Sequence, residues 1–408
     1  MGKRSIITAI DVGTTKVCTI IAEAKDDGGL RVVGVGTVPS SGMHKGMVTD
    51  ISNVRETIRA SVRKAERACN YKVESAYVGV TGRHITSTNS RGQVSITRND
   101  RLVRIDDLRR VLTSAQSVKI PSDRKLLHVI PRTYAIDGQE GVQNPVGMHG
   151  FRLDVETHII TAAITSVQNL MKCVRNLGID IDDLVLEPIA SAEAVLTEDE
   201  KQKGVVLAEI GGGTSEIAVF KDGSIFHAAA LPVAGYQITR DIAIGLGLTF
   251  DVAEQMKKTY GSLKPVYDAS MQMPKAMSSD GHGESYQDLC EIIRARVDEI
   301  LRLMLLEMPA EYQSIVPAGL VLTGGGSNLA GLDSLARDIW RLPARIGTPL
   351  ALDGVTEGLK DPTYATAVGL ILWANKNRTR HWRSNRLFGW GLWRFVSQIV
   401  AMFRRNLV

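Results

Sequence analysis

The chain has 408 residues, 44% hydrophobic and 23% charged, with a net charge of +5; that is an ordinary globular profile with room for more than one core, and it excludes a largely disordered chain. Its four cysteines (Cys18, Cys69, Cys173 and Cys290) form no CxxC pair, which argues against a disulfide framework or a zinc site and suits a reducing cytosol. The apolar run before Asp11 is too short for a signal peptide, and no run of ~18 uncharged apolar residues is there to span a bilayer.

In chain order, residues 5–10 and 17–22 are rich in β-formers and flank the turn Asp11-Val-Gly-Thr-Thr-Lys16. Between Gly82 and about Ser166 the pattern changes. Alternating segments at 93–97 and 158–164 flank a helical period over 105–118, which predicts a small α+β domain inserted in the first half. Residues 166–177 read as a helix stopped by Gly178. The opening arrangement then returns: residues 205–210, the turn Gly211-Gly-Gly-Thr214, and residues 217–220. Two Gly/Thr hairpins in one chain predict duplicated halves. Residues 251–259 and 288–307 carry helical periods, and the Pro-, Gly- and Met-containing stretch 264–284 between them reads as a loop. A third glycine turn, Gly324, Gly325 and Gly326, follows the apolar run 319–323 and leads through Ser327 and Asn328 to a helix over 332–340. Residues 373–385 are polar and basic and read as a linker.

Glycine turns matter because a phosphate chain needs backbone N–H groups close together, and Thr or Ser hydroxyls add further donors. Neither GxxxxGK[ST] nor a post-strand GxGxxG is present. One glycine turn alone is more often a tight hairpin than a phosphate site. Three of them in the order hairpin, hairpin, strand-to-helix turn are hard to explain without a shared ligand.

These motifs resemble the actin, Hsp70 and sugar-kinase superfamily. Ile10-Asp-Val-Gly-Thr-Thr-Lys16 is similar to its first phosphate loop, Leu186-Glu-Pro-Ile-Ala190 to its first connecting helix, and Glu209-Ile-Gly-Gly-Gly-Thr214 to its second phosphate loop. Leu322-Thr-Gly-Gly-Gly-Ser327 resembles the adenosine loop and Tyr364-Ala-Thr-Ala-Val-Gly369 the second connecting helix. More closely, Leu127-His-Val-Ile-Pro-Arg-Thr-Tyr-Ala-Ile-Asp137, Val142-Gln-Asn-Pro-Val-Gly147 and Val195-Leu-Thr-Glu-Asp-Glu200 resemble the bacterial cell-division actins of the FtsA family. The resemblance implies an α/β, actin-like fold: two duplicated RNase H-like domains, an inserted small α+β subdomain (SHS2-like) and a C-terminal amphipathic helix. The boundaries expected are 1–83 and 166–200 for the first domain, 84–165 for the insert, and 201–350 for the second domain with its own subdomain at about 225–315. A return to the first domain over 351–373, a basic linker over 374–386 and a membrane helix over 387–408 complete them.

The same resemblance implies ATP and Mg²⁺ as cofactors. Asp11 would organise the Mg²⁺ through water, as suits a hard cation. Gly13, Thr14, Thr15 and Lys16 would meet the β- and γ-phosphates, with Gly211, Gly212, Gly213 and Thr214 closing from the other side. Gly324, Gly325, Gly326, Ser327 and Asn328 would lie at the adenosine. Glu254, Lys257 and Lys258 share a helix face at i, i+3, i+4 and match positions that meet ribose and adenine in Hsp70-like relatives; the plain alternative is a solvated face. The chain departs from the pattern at Glu209 and Glu216, where the superfamily usually has Asp. Glu187 stands where relatives hold a water-positioning carboxylate, though a helix-start Glu is an equal reading. An extra methylene displaces a carboxylate enough to slow chemistry more than binding. The expectation is therefore tight ATP binding with at most slow hydrolysis, with Glu187 and Glu209 as the candidate catalytic carboxylates.

The end of the chain differs in character. Lys376, Arg378, Arg380, Arg383, Arg386, Arg394, Arg404 and Arg405 stand there without any Asp or Glu, and the preceding body holds a small excess of acidic residues. Leu392, Phe395, Ile399 and Met402 repeat at helical spacing, and Trp393, Val396, Val400 and Phe403 repeat beside them. With Trp390 near its start and Arg394, Arg404 and Arg405 at its edges, this predicts an amphipathic helix lying on an anionic membrane. A nucleic-acid arm has no need of so many large apolar side chains, and no nucleic-acid partner is expected. Resemblance to the family further implies filament formation with copies of itself, binding to the C-terminal peptide of the tubulin-like FtsZ, contact with other divisome membrane proteins, and a peripheral place on the cytoplasmic membrane face at the division septum. Helix 288–307, with Arg296 on it, is the docking candidate for FtsZ. The alternatives are a small-molecule kinase or phosphatase of the same superfamily and a pilus-type actin scaffold.

Overall fold

The computed structural model describes residues 5–25, 28–264 and 286–387. The loop read over 264–284, apart from Lys264, lies outside the described residues, as do Trp390, Leu392, Trp393 and every later residue assigned to the membrane helix.

The first half opens with β1 (Ser5–Val12), β2 (Lys16–Ala24) and β3 (Leu30–Pro39), an antiparallel meander. A short hairpin follows, β4 (Met43–His44) and β5 (Met47–Val48), then helix α1 (Ile51–Cys69). Asp50 starts α1 by accepting from the N–H groups of Ser52 and Asn53, and Asn70 in the left-handed region ends it. Strand β6 (Ser75–Val80) returns parallel to β1. The insert comprises β7 (Ile85–Ser95), α2 (Ile105–Ala115), β8 (Arg124–Ile136), β9 (Gln139–Val142) and β10 (Arg152–Ala163). Its sheet runs β7-β10-β8-β9, with α2 on one face over a separate core of Ile96, Val111, Leu112, Leu153 and Val155. Asp107, fully buried, accepts from the Arg104 N–H and pairs with Arg98 and Arg110. The chain re-enters the first half through α3 (Ile164–Arg175) and β11 (Asp180–Leu186), and leaves it through α4 (Glu187–Val195) and the short α5 (Glu198–Lys203).

The second half repeats the plan. Strands β12 (Val205–Ile210), β13 (Ser215–Lys221) and β14 (Ser224–Leu231) form a meander, and α6 (Gly235–Gly245), α7 (Phe250–Tyr260), α8 (Tyr286–Leu306) and α9 (Tyr312–Ile315) follow. Strand β15 (Leu320–Thr323), a 3₁₀ turn over Gly325–Asn328, α10 (Leu332–Trp340), β16 (Ala344–Ile346) and β17 (Asp353–Gly354) lead to the last helix, α11 (Ala365–Leu387). The sheet orders are β11-β6-β1-β2-β3-β17 and β14-β13-β12-β15-β16. Apart from β17, which adds parallel to β3 in the first sheet, they are one topology used twice: three antiparallel strands, then two parallel ones beside the first. The duplication expected from the two hairpins is thus present. Near-continuous burial of β1, β2, β12 and β13 is what sheets covered on both faces require.

Two expectations are corrected in detail. The helix read over 105–118 stops at Ala115. The segment read as a linker over 374–386 is helical, because α11 runs on from its buried start to Leu387. Its apolar face is anchored by Ala367, Val368, Leu370, Ile371 and Ala374 in the first core, so the polar residues beyond add turns to an already nucleated helix.

Helices α4 and α11 cross at the junction of the halves. Gly369 is the contact: a Cβ there would lie 1.9 Å from the Ala190 carbonyl oxygen. Only glycine permits that approach, and it brings Ser191 and Thr366 within hydrogen-bonding distance of each other, 3.1 Å.

A cleft lined by facing glycine turns

Both hairpin turns close in the same way, the Gly13 N–H donating to Lys16 O at 3.0 Å and the Gly211 N–H to Thr214 O at 2.9 Å. The equivalent strands β1 and β12 aim the turns at each other across the junction. A Cβ on Gly213 would lie 2.5 Å from Thr14 Oγ1, and one on Gly212 would lie 2.2 Å from Thr15 Cγ2. Gly13, Thr14, Thr15, Gly211, Gly212, Gly213 and Thr214 are therefore brought together. The N-terminus of α6 braces the second turn, with the N–H groups of Gly235 and Tyr236 donating to Gly211 O and Gly212 O at 3.1 and 2.7 Å.

Four carboxylates lie beneath the turns. Asp11 is held by the Lys16 ammonium at 3.2 Å. Burial opposes the charge on Lys16, but Asp11, Cys18 and Tyr364 together outweigh it and hold the ammonium above the usual lysine range; the ammonium also lies 5.1 Å from the centre of the Tyr364 ring. Glu209 accepts from Ser191 Oγ at 2.6 Å and from Thr366 Oγ1 at 2.7 Å, so it clasps α4 to α11. That placement engages both of its oxygens structurally. Glu187 Oε1 and both carboxylate oxygens of Glu216 are buried with no hydrogen-bond partner at bonding geometry. Burial first, and then the other carboxylates, raise Glu187 and Glu216 well above the ordinary glutamate range; burial also raises Glu209. Orphaned buried carboxylates call for a cation or for water. No group of three or more His, Cys, Asp and Glu among the described residues is arranged to hold a metal directly. The donor set therefore fits a hydrated divalent ion beside Asp11 and does not fit a fully protein-ligated one.

This cluster gives a signed pH dependence. With folded pKa values raised above the unfolded ones, the protonated forms are favoured in the fold. The associated stability is full below the unfolded value of about 4.5 and is lost as pH rises through the raised values. In the ligand-free protein, Glu216→Gln should accordingly raise the melting temperature at pH ~8 while changing it little at pH ~5. Scanning calorimetry at the two pH values checks this, and an equal shift at both would contradict it.

The residues expected at the adenosine also gather near the turns. Gly324 takes φ +83° against Ile210 O, and Ser327 Oγ donates back to Gly324 O at 2.6 Å. Asn328 Nδ2 donates to both Asp361 oxygens at 3.1 and 3.2 Å, tying Gly325, Gly326 and their turn to the start of α11. Lys257 Nζ lies 2.6 Å from Glu254, 2.7 Å from Thr239 Oγ1 and 3.1 Å from Gly235 O. Lys257 is 12% exposed and Glu254 25%, so these two are built into the α6–α7 junction and are no solvated face; Lys258, 69% exposed, is the member that matches the plain reading. Arg296 sits apart from this group, paired with Asp241 of α6 and Glu299 of its own helix. A docking partner would have to compete for it.

Several residues here went unread in the sequence: Ser191, Thr366, Tyr364, Asp361 and the β4–β5 hairpin. Gly46 of that hairpin donates its N–H to Thr14 Oγ1 at 3.3 Å. Nothing local distinguishes any of them; the one available signal was the position of Tyr364 and Thr366 inside the second connecting-helix motif.

Two like-built halves joined by crossing helices, with paired turns facing each other at their junction and an insert in the first half, define an actin-like protein. The family profile described as "Cell division protein FtsA" matches residues 206–369, and that of the "SHS2 domain inserted in FTSA" matches residues 82–161. The cell division protein FtsA of Pseudomonas aeruginosa is 42% identical over 372 residues, 90% of this chain and 89% of that protein; the Escherichia coli K12 protein is 35% identical over 379 residues, 90% of each. The chain belongs to the FtsA family of cell-division proteins. Among solved structures, the pilus biogenesis complex PilM–PilN aligns with a TM-score of 0.64 at 16% identity over 91% of this chain and 99% of that one. MreB5 of Spiroplasma citri bound to ADP aligns at 0.56 and 14% identity over 92% and 98%. At such identities these show the fold alone.

Proposed function

We propose that this protein binds ATP with Mg²⁺ in the cleft, polymerises, and tethers the tubulin-like FtsZ ring to the cytoplasmic face of the membrane at the division site. The observation that carries the reading is the meeting of two glycine hairpins, one from each half, over a cluster of buried carboxylates in which Glu187 and Glu216 keep oxygens with no partner at bonding geometry. Gly13, Thr14, Thr15 and Lys16 grip the β- and γ-phosphates from one side and Gly211 to Thr214 from the other; Gly324 to Asn328 and the Glu254–Lys257 pair flank the nucleoside. A magnesium ion would supply charge neutralisation for phosphates and carboxylates alike, with Asp11 orienting its water shell. The halves part at the α4–α11 crossing to admit the ligand, since the turns touch when closed. Glu209 is committed to Ser191 and Thr366, which leaves Glu187 to orient water and supports slow hydrolysis at most.

Membrane attachment rests on the apolar and arginine pattern of residues 387–408. Each large side chain, buried in full, contributes about 1.5–3 kcal/mol, less at an interface. Each basic residue at an anionic surface adds about 1 kcal/mol. A monomer is then held weakly and a filament firmly through many linked contacts. The test is flotation with anionic vesicles, ATP and FtsZ. The full chain should carry FtsZ up with the vesicles, and a chain ending at Arg386 should leave both at the bottom. Flotation that survives the truncation would overturn the tether.

A further inference from the structure

We infer that His84 is the positioning residue through which occupancy of the cleft sets the pose of the inserted subdomain. The inference rests on the nucleotide reading of the cleft. The insert joins the first half by two strands of backbone, one entering β7 and one leaving β10. His84 holds both. Its carbonyl accepts from the Ala163 N–H at 3.3 Å, the last residue of β10, and from Arg124 Nη2 at 2.8 Å at the start of β8. Arg124 in turn donates from Nε to Thr161 Oγ1 at 2.9 Å and from Nη2 to Thr161 O at 3.0 Å, so three strands of the insert converge on one peptide.

The other side of His84 faces the phosphate end of the cleft. Gly82 is buried with φ +122°, and a Cβ on it would lie 3.0 Å from His84 Nδ1 and 3.2 Å from Gly46 O. A Cβ on Gly46 would lie 3.0 Å from both Gly82 Cα and Thr214 Cγ2. Thr214 ends the second turn, while Gly211 begins it beside Gly235 and Lys257 on the nucleoside side. A phosphate chain running out from the nucleoside therefore ends nearest Thr214, Gly46 and Gly82. There is no space at that corner to absorb a displacement, so a phosphate admitted between Thr214 and Gly46 presses on Gly46 and Gly82, and Gly82 moves the imidazole packed on it. Both ring nitrogens of His84 are buried without a partner. A neutral imidazole has one donor and one acceptor, and a water admitted with the ligand would pair with them. Burial, and then the Arg124 charge, lower this histidine to about 4, which keeps the ring neutral at physiological pH.

The experiment is hydrogen–deuterium exchange on the full chain with and without Mg–ATP, alongside the dissociation constant for a fluorescent ATP analogue. In the wild type, ATP should slow exchange in residues 82–88 and 161–163 by about tenfold, within the usual span of coupling between sites. His84→Phe, which keeps the ring and removes both nitrogens, should bind ATP within about threefold of wild type and lose that protection. His84→Gln, which restores one donor and one acceptor, should recover it. Equal protection in wild type and His84→Phe overturns the inference, as does loss of protection in His84→Gln with ATP still bound. Should His84→Phe fail to fold, the wild-type measurement decides: ATP bound with no change at 82–88 is a refutation. A wild type that binds no ATP at all refutes the reading of the cleft instead.

Discussion

Gly369→Ala is expected to lower the melting temperature by about 3–4 °C, the shift that a loss of ~3 kcal/mol produces in a chain of this size. The added methyl would stand 1.9 Å from the Ala190 carbonyl oxygen and 2.3 Å from its carbon. Neither contact is with a flexible side chain. Both are backbone within helices, and α4 has to retreat as a body. Retreat also separates Ser191 from Thr366, and Glu209 loses one or both of its donors while remaining buried. An orphaned buried carboxylate adds to the cost of overpacking. Thermal unfolding followed by circular dichroism measures the effect. A shift below about 1 °C would mean that the two helices yield at this contact at little cost and that Gly369 is not required for their close approach.

Gly213→Ala is expected to weaken ATP binding by about a hundredfold, or ~2.7 kcal/mol. Its Cβ would sit 2.5 Å from Thr14 Oγ1 and 2.9 Å from Thr14 Cβ. The Thr14 hydroxyl is itself pinned by the Gly46 N–H, and both turns are closed by their own backbone hydrogen bonds, so neither side yields by a simple rotation. A methyl in this position also displaces any phosphate that approaches the Gly213 backbone, which is the reason glycine serves at such turns. Titration of a fluorescent ATP analogue, with calorimetry to verify folding, reads both terms. Affinity within about threefold of wild type would show that the two turns do not share a ligand.

How much of this could be read from the chain depends on where the controlling force acts. The three glycine turns were legible because a local backbone requirement writes itself into adjacent residues. Helix 332–340 was legible to the residue because its period is sharp and glycine precedes it. The span of β7 and β8 was not: residues 93–97 show the end of an eleven-residue strand whose earlier part, Thr86 to Asn89, is polar. That polarity has a tertiary reason, since Ser87 Oγ donates to Ala228 O at 2.9 Å and Asn89 Nδ2 to Phe226 O at 3.4 Å, stitching the insert to β14 of the second half. Residues 374–386 looked like a linker because composition reports solvent exposure, and it does not report that a buried stretch upstream has already paid the nucleation cost of a helix.

The sequence by itself determined the duplicated hairpins, the glycine turns with their Thr and Lys companions, the inserted subdomain and the amphipathic pattern at the end of the chain, because each depends on neighbours within a few residues. Tertiary structure alone decided that Glu209 clasps two helices, that Glu187 and Glu216 lie buried with unmet oxygens, that Lys257 is built in while Lys258 faces water, and that His84 gathers the insert's strands. In each case the deciding partner lies far away in the chain, and a carboxylate or an imidazole reads the same in sequence whether water or protein surrounds it.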